Sequence, residues 1–121
     1  KAGFQKPQAV INPEAEVFKV GDLSFETYFP GPGHTMDNIV VYFPQTGVLY
    51  GGCLVKPMNM SNLGNMSDGD VTQYPDTIRK VMKRYPKAKI VIANHGSSPW
   101  GDFGLLEHTL QLAEAQGAGS K

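Results

Sequence analysis

The chain has 121 residues, 40% of them hydrophobic, and 11 Lys+Arg balance 11 Asp+Glu for a formal net charge of zero. That length suits one domain with a core of its own, and the composition is too apolar for a disordered chain. Zero net charge gives no electrostatic ground for a nucleic-acid or anionic-membrane partner, no apolar run approaches the roughly 20 residues that span a bilayer, and one cysteine excludes an internal disulfide.

The opening Lys1-Ala2-Gly3-Phe4-Gln5-Lys6 has no signal-peptide pattern. Residues 1–15, polar and broken by Pro7 and Pro13, read as a lead-in loop. Residues 16–20 alternate and predict a strand. Gly21-Asp22 turns it into a second strand over 23–29, with Leu23, Phe25, Thr27 and Phe29 on one face. Pro30-Gly31-Pro32-Gly33 stops that strand. Asn38-Ile39-Val40-Val41-Tyr42-Phe43 is an apolar run suited to a strand buried on both faces. Gln45-Thr46-Gly47 returns it into Val48-Leu49-Tyr50, a second hairpin.

Residues 54–69 form a long irregular stretch of the kind that often carries function. Pro75 suits the first turn of a helix, after which Ile78, Val81, Met82 and Tyr85 recur at helical spacing. Arg79, Lys80, Lys83, Arg84, Lys87 and Lys89 read as that helix's solvated face and its exit. Residues 90–93 predict another strand. A last helix is expected over 103–116, with Leu106, Thr109, Leu110 and Ala113 on one stripe and a tail from Gly117 through Gly119 and Ser120. The predicted order, β-β-β-β-α-β-α, is an α/β arrangement with helices packed on one face of a sheet. Its other face is also apolar, because residues 39–43 are apolar on both sides. A partner sheet or a second chain is therefore expected to cover it.

Three side chains carry the chemistry. His34 follows the second strand, Cys53 ends Val48-Leu49-Tyr50-Gly51-Gly52-Cys53, and His95 ends Ile90-Val91-Ile92-Ala93-Asn94-His95. Strands of one sheet can bring all three to one edge. Imidazole nitrogen and thiolate sulfur are donors that Zn²⁺ prefers. The alternatives are a loop histidine at 34 and a small buried hydrophobe at 53. His108, in the last predicted helix, is expected to have no metal role.

These residues sit in motifs that resemble the metallo-β-lactamases, most closely subclass B1. The matching stretches are Phe29-Pro30-Gly31-Pro32-Gly33-His34-Thr35, Asp37-Asn38-Ile39-Val40-Val41 and Leu49-Tyr50-Gly51-Gly52-Cys53-Leu54-Val55-Lys56-Pro57. Leu63-Gly64-Asn65, Tyr74-Pro75-Asp76-Thr77 and Asn94-His95-Gly96 complete the set in the same order. The resemblance spans residues 16–116 and implies the αββα sandwich of two αβ halves, residues 1–121 being the C-terminal half. It implies two zinc ions per complete site, with His34 a ligand of the first and Cys53 and His95 ligands of the second. Lys56 would meet the substrate carboxylate, and Asn65 would assist catalysis and bind substrate near the lactam carbonyl. The alternatives are a solvated surface lysine and a turn asparagine. The family's His-x-His-x-Asp motif belongs to the N-terminal half and has no counterpart here.

The expected activity is hydrolysis of the β-lactam amide, hence antibiotic resistance, when an N-terminal half, as a separate chain, completes the site. By resemblance the setting is periplasmic, the substrate a β-lactam, and Cys53 a ligand instead of a nucleophile. This chain alone is expected to be inactive. Two other readings stand beside this one. The chain could serve another hydrolase of the superfamily, although thioesterases of this fold usually carry aspartate where Cys53 stands. It could also be a non-enzymatic half that dimerises or binds zinc weakly. Subclass B2 stays open, because its distinguishing position lies in the other half.

Overall fold

In the computed structural model, which describes residues 14–96 and 98–119, the predicted hairpins form as read. β1 (Ala15–Val20) pairs antiparallel with β2 (Leu23–Tyr28), β2 with β3 (Val40–Phe43), and β3 with β4 (Val48–Gly52). α1 (Tyr74–Arg84) then carries the chain across, so that β5 (Ile90–Ala93) lies parallel to β4. A two-residue strand, β6 (Trp100–Gly101), pairs antiparallel with β5 and precedes α2 (Gly104–Gly119). The six-stranded sheet runs β1-β2-β3-β4-β5-β6, with two helices on one face, which is the α/β arrangement expected and one αβ half of a sandwich.

Three details differ from the sequence reading. β6 was not foreseen, because two residues after Pro99 are too few to show alternation. The central strand starts at Val40, since the Asn38 side chain is engaged in the turn before it: its Oδ1 accepts from Thr35 N–H at 3.0 Å and its Nδ2 donates to Gly31 O at 2.9 Å. α2 runs through Gly117 to Gly119 instead of ending there. Its last turn is tied to the long loop by Leu63 N–H donating to Gln116 Oε1 at 3.3 Å. Of the expected lead-in at 1–15, residues 1–13 lie outside the described residues and Ala15 already opens β1; the tail at Ser120 also lies outside them.

α1 is amphipathic because Tyr74, Thr77, Ile78 and Val81 turn one stripe inward. Pro75 opens it, and the Asp70 carboxylate collects the Thr72 and Gln73 N–H groups just before it, both at 3.0 Å. That stripe meets Leu106 and Ala113 of α2 and Val40, Leu49 and Val91 of the sheet, all fully buried. Each of the buried Leu, Ile and Val side chains stabilises the fold by about 1.5–3 kcal/mol relative to exposure. None of the described helices is long and apolar enough to cross a membrane.

The opposite face is open. Cross-strand register places Thr27, Val41, Tyr50, Ile92 and Trp100 in one row. Beside it Phe18 stacks on Phe25 with centroids 5.2 Å apart, and Phe25 leans on Phe43 at 5.8 Å. No described element lies over these rows, and Trp100 keeps 63% and Val20 65% of its surface exposed. The apolar second face read from the sequence is present.

A polar clasp joins the sheet to α1. Arg84 donates Nε–H to Glu26 Oε1 at 3.0 Å and Nη2–H to Oε2 at 2.9 Å, and the Tyr85 hydroxyl donates to Oε1 at 2.6 Å. The guanidinium also lies 4.6 Å over the Tyr28 ring. The Arg84 bonds hold the Glu26 carboxyl below its usual range; burial opposes them and the Tyr85 bond adds to them. A carboxylate whose pKa folding lowers adds stability above its unfolded pKa and loses it as pH falls through the folded one. Glu26→Gln should therefore destabilise the folded protein by about 1–2 kcal/mol at neutral pH. That deficit should shrink toward zero well below ~pH 4. Urea unfolding of parent and variant across that range measures it. A deficit independent of pH would mean that the carboxylate charge contributes nothing.

Candidate metal centre

β2, β4 and β5 run in the same direction, since β3 is antiparallel to both its neighbours and β5 is parallel to β4. Their C-terminal ends therefore open on one edge of the sheet. The segments leaving those ends carry His34, Cys53 and His95.

The His34 loop is held by its own backbone and by α1. The Thr77 hydroxyl donates to Pro32 O at 2.6 Å, and Asp70 N–H donates to Gly33 O at 2.9 Å. Gly69 packs against the Gly33 and His34 carbonyls so closely that a Cβ there would collide with backbone. His34 is half-buried. Burial, then the charges of Lys56 and His95, hold its imidazole below the usual range, while Asp68 pulls the other way. A depressed histidine pKa keeps a ring lone pair available to a metal.

Cys53 follows Gly52, whose φ of +57° turns the chain out of β4 in a conformation that glycine adopts without strain. Its Sγ lies 3.2 Å from His95 Nε2. Asn94 donates Nδ2–H to the same sulfur at 3.2 Å, and the Tyr50 hydroxyl donates to Asn94 Oδ1 at 3.1 Å. Neither Tyr50 nor Asn94 carries a role that the sequence alone makes legible. Asn94 adjoins His95, but its link to Tyr50 spans 44 positions and exists only through the β4–β5 pairing.

Lys56 is not a solvated surface lysine. It is 2% exposed, and its Nζ lies 3.4 Å from His34 Nδ1. Burial lowers its pKa, and Cys53 works in the opposite direction. Its backbone N–H donates to Thr109 Oγ1 at 2.8 Å, so the buried hydroxyl on the α2 stripe anchors the segment after Cys53. Asn65 is exposed in a turn, with its Oδ1 accepting from Ser67 N–H at 2.9 Å; no contact joins it to His34, Cys53 or His95 among the described residues. His108 Nε2 bonds Met60 O at 2.8 Å and so ties α2 to the long loop. Trp100 sits on the open face of the sheet.

A soft sulfur and an imidazole nitrogen in contact fit zinc by donor type. The donor count does not reach a full site: among the described residues no three His, Cys, Asp or Glu side chains group closely enough to hold one ion. A catalytic zinc takes three protein ligands. The residues fit part of a zinc site and need donors from elsewhere.

No protein-family model matches the chain. It is 44% identical over 116 residues to a metallo-β-lactamase type 2 of Bacillus cereus, covering 93% of this chain and 43% of that protein. A solved metallo-β-lactamase from Pontibacter korlensis superposes with a TM-score of 0.84 at 47% identity, covering 91% of this chain and 50% of the other. The FIM-1 metallo-β-lactamase of Pseudomonas aeruginosa, solved in a mono-zinc form, gives 0.73 at 40% identity, covering 77% and 40%. The chain thus spans about half the length, or less, of the relatives it matches.

Proposed function

Since the chain belongs with the metallo-β-lactamases of B1-like type, we propose that it supplies one half of a zinc-dependent β-lactam hydrolase. An N-terminal half carrying His-x-His-x-Asp completes the site and covers the open sheet face. The observation that carries this is the Cys53–His95 contact, a sulfur and imidazole pair at the edge to which three strand ends point. His34 would serve a first zinc, and Cys53 with His95 a second. Zinc held by these residues would supply an activated water at neutral pH and Lewis acidity toward a carbonyl oxygen. Resistance to β-lactams and a periplasmic setting follow from the same proposal.

The chain's own side chains do the rest. Cys53 acts as a ligand and leaves attack to water. Lys56, three residues after Cys53, meets the carboxylate of a β-lactam once its ammonium, buried against His34 in this chain, turns toward the site. Asn65 donates its amide N–H toward the oxygen that gains charge; its exposed turn leaves that side chain accessible. Metal analysis of the complete assembly tests the proposal, and two zinc ions per site are expected. Protein prepared without chelators that holds no zinc would refute it.

Lys56→Ala should mainly raise KM, because the lysine binds a group present equally in ground and transition states. The expected loss in kcat/KM is roughly fivefold to hundredfold, taking about 1.4 kcal/mol as tenfold. Steady-state kinetics on carboxylate-bearing β-lactams reads it. Unchanged KM with collapsed kcat would instead assign Lys56 to holding His34, which it contacts at 3.4 Å.

A further inference from the structure

The Asn94 carboxamide is held at both ends. Tyr50 donates its hydroxyl proton to Oδ1 at 3.1 Å, and Nδ2 donates to Cys53 Sγ at 3.2 Å. A free asparagine amide can turn either end toward a neighbour. Here the acceptor sulfur selects the NH₂ end, and the Tyr50 hydroxyl, able to donate or accept, donates to the oxygen end that remains. The same sulfur lies 3.2 Å from His95 Nε2. Three side chains from two parallel strands and their exits thus set the direction of one sulfur atom.

Resting on the zinc reading above, we propose that Asn94, buttressed by Tyr50, is a positioning residue for the Cys53 ligand. Its N–H takes one sulfur lone pair and restrains the thiolate's rotation about Cα–Cβ, which leaves the remaining lone pairs aimed beside His95. Outer partners of this kind orient ligands and tune their donation, and losing one costs about 10–100-fold in metal affinity. Tyr50 also belongs to the open face of the sheet, in register with Val41 and Ile92.

The test uses Co²⁺ in place of zinc in the chain completed by its N-terminal half, reading the thiolate-to-cobalt charge-transfer band and the Co²⁺ affinity by chelator competition. Asn94→Ala should shift the band and weaken binding at the thiolate-bearing site by about tenfold. Tyr50→Phe should move both in the same direction by less, since the amide remains but is free to turn. Asn94→Ser restores a donor and should return the band toward that of the parent. Tyr50→Phe keeps its ring and reports even if Asn94→Ala does not fold. A parent band that neither Asn94→Ala nor Tyr50→Phe alters overturns the relay while leaving Cys53 a ligand. A parent without a band that Cys53→Ser removes overturns the ligand reading and the relay together.

Discussion

Purified by itself with excess zinc, the 121-residue chain should hydrolyse nitrocefin no faster than free zinc does, and it should self-associate. The metal centre has three of its expected donors here, and no three cluster among the described residues. The open face of the sheet exposes Tyr50 and Trp100 in one row and Val20 and Leu23 toward its far edge, and apolar patches of that kind drive association. Adding the N-terminal half should restore zinc binding, hydrolysis and a discrete mass together, because the proposed partner would bring both donors and cover. Light scattering alongside the rate assay distinguishes the outcomes. A discrete homodimer that binds zinc and stays inactive after the N-terminal half is added would favour the non-enzymatic reading. A monomer with rapid turnover would require the missing ligands to lie within this chain.

Cys53→Ser should abolish tight binding at the second zinc and spare the first. Serine is nearly isosteric, but a neutral hydroxyl replaces a soft thiolate poorly. The loss should exceed the roughly 10–100-fold expected for an outer partner, since a ligand itself is removed. Folding should survive: Cys53 is only half-buried and its contacts are with the polar side chains of Asn94 and His95. Stepwise zinc titration of the completed assembly, read by calorimetry, checks this. Two unaltered tight sites would remove Cys53 from the ligand set.

Much of this was legible before any coordinates. Alternation over 16–28, the turn residues at Gly21-Asp22 and the helical spacing of Ile78, Val81 and Tyr85 are local signals, and the elements they mark formed where expected. A shared edge for His34, Cys53 and His95 was readable only on the condition that their strands join one sheet, which the common direction of β2, β4 and β5 meets. What stayed hidden was non-local or very short. β6 is too brief to carry a period. The burial of Lys56 depends on Thr109, 53 positions away, and on where α2 packs. Asn94 and Tyr50 look unremarkable until β4 and β5 are set side by side. Asn65 shows the opposite: motif resemblance assigns it to chemistry, while local hydrogen bonding accounts for its turn.

The parallel pairing of β4 and β5 also orders the folding of this half. The other ladders join strands adjacent in sequence, across short connections that cost little entropy to close. Val48 and Ile90, by contrast, meet only after the long loop and α1 have been gathered between them. Contacts of such wide separation form slowly. Cys53 and His95 stand 42 positions apart on that same closure. A partly folded chain that has only its hairpins can offer each donor singly but never the two together. Metal capture by this pair, as proposed, would therefore belong to the end of folding, and an ion that needs both would serve as a lock on the finished sheet instead of a seed for it.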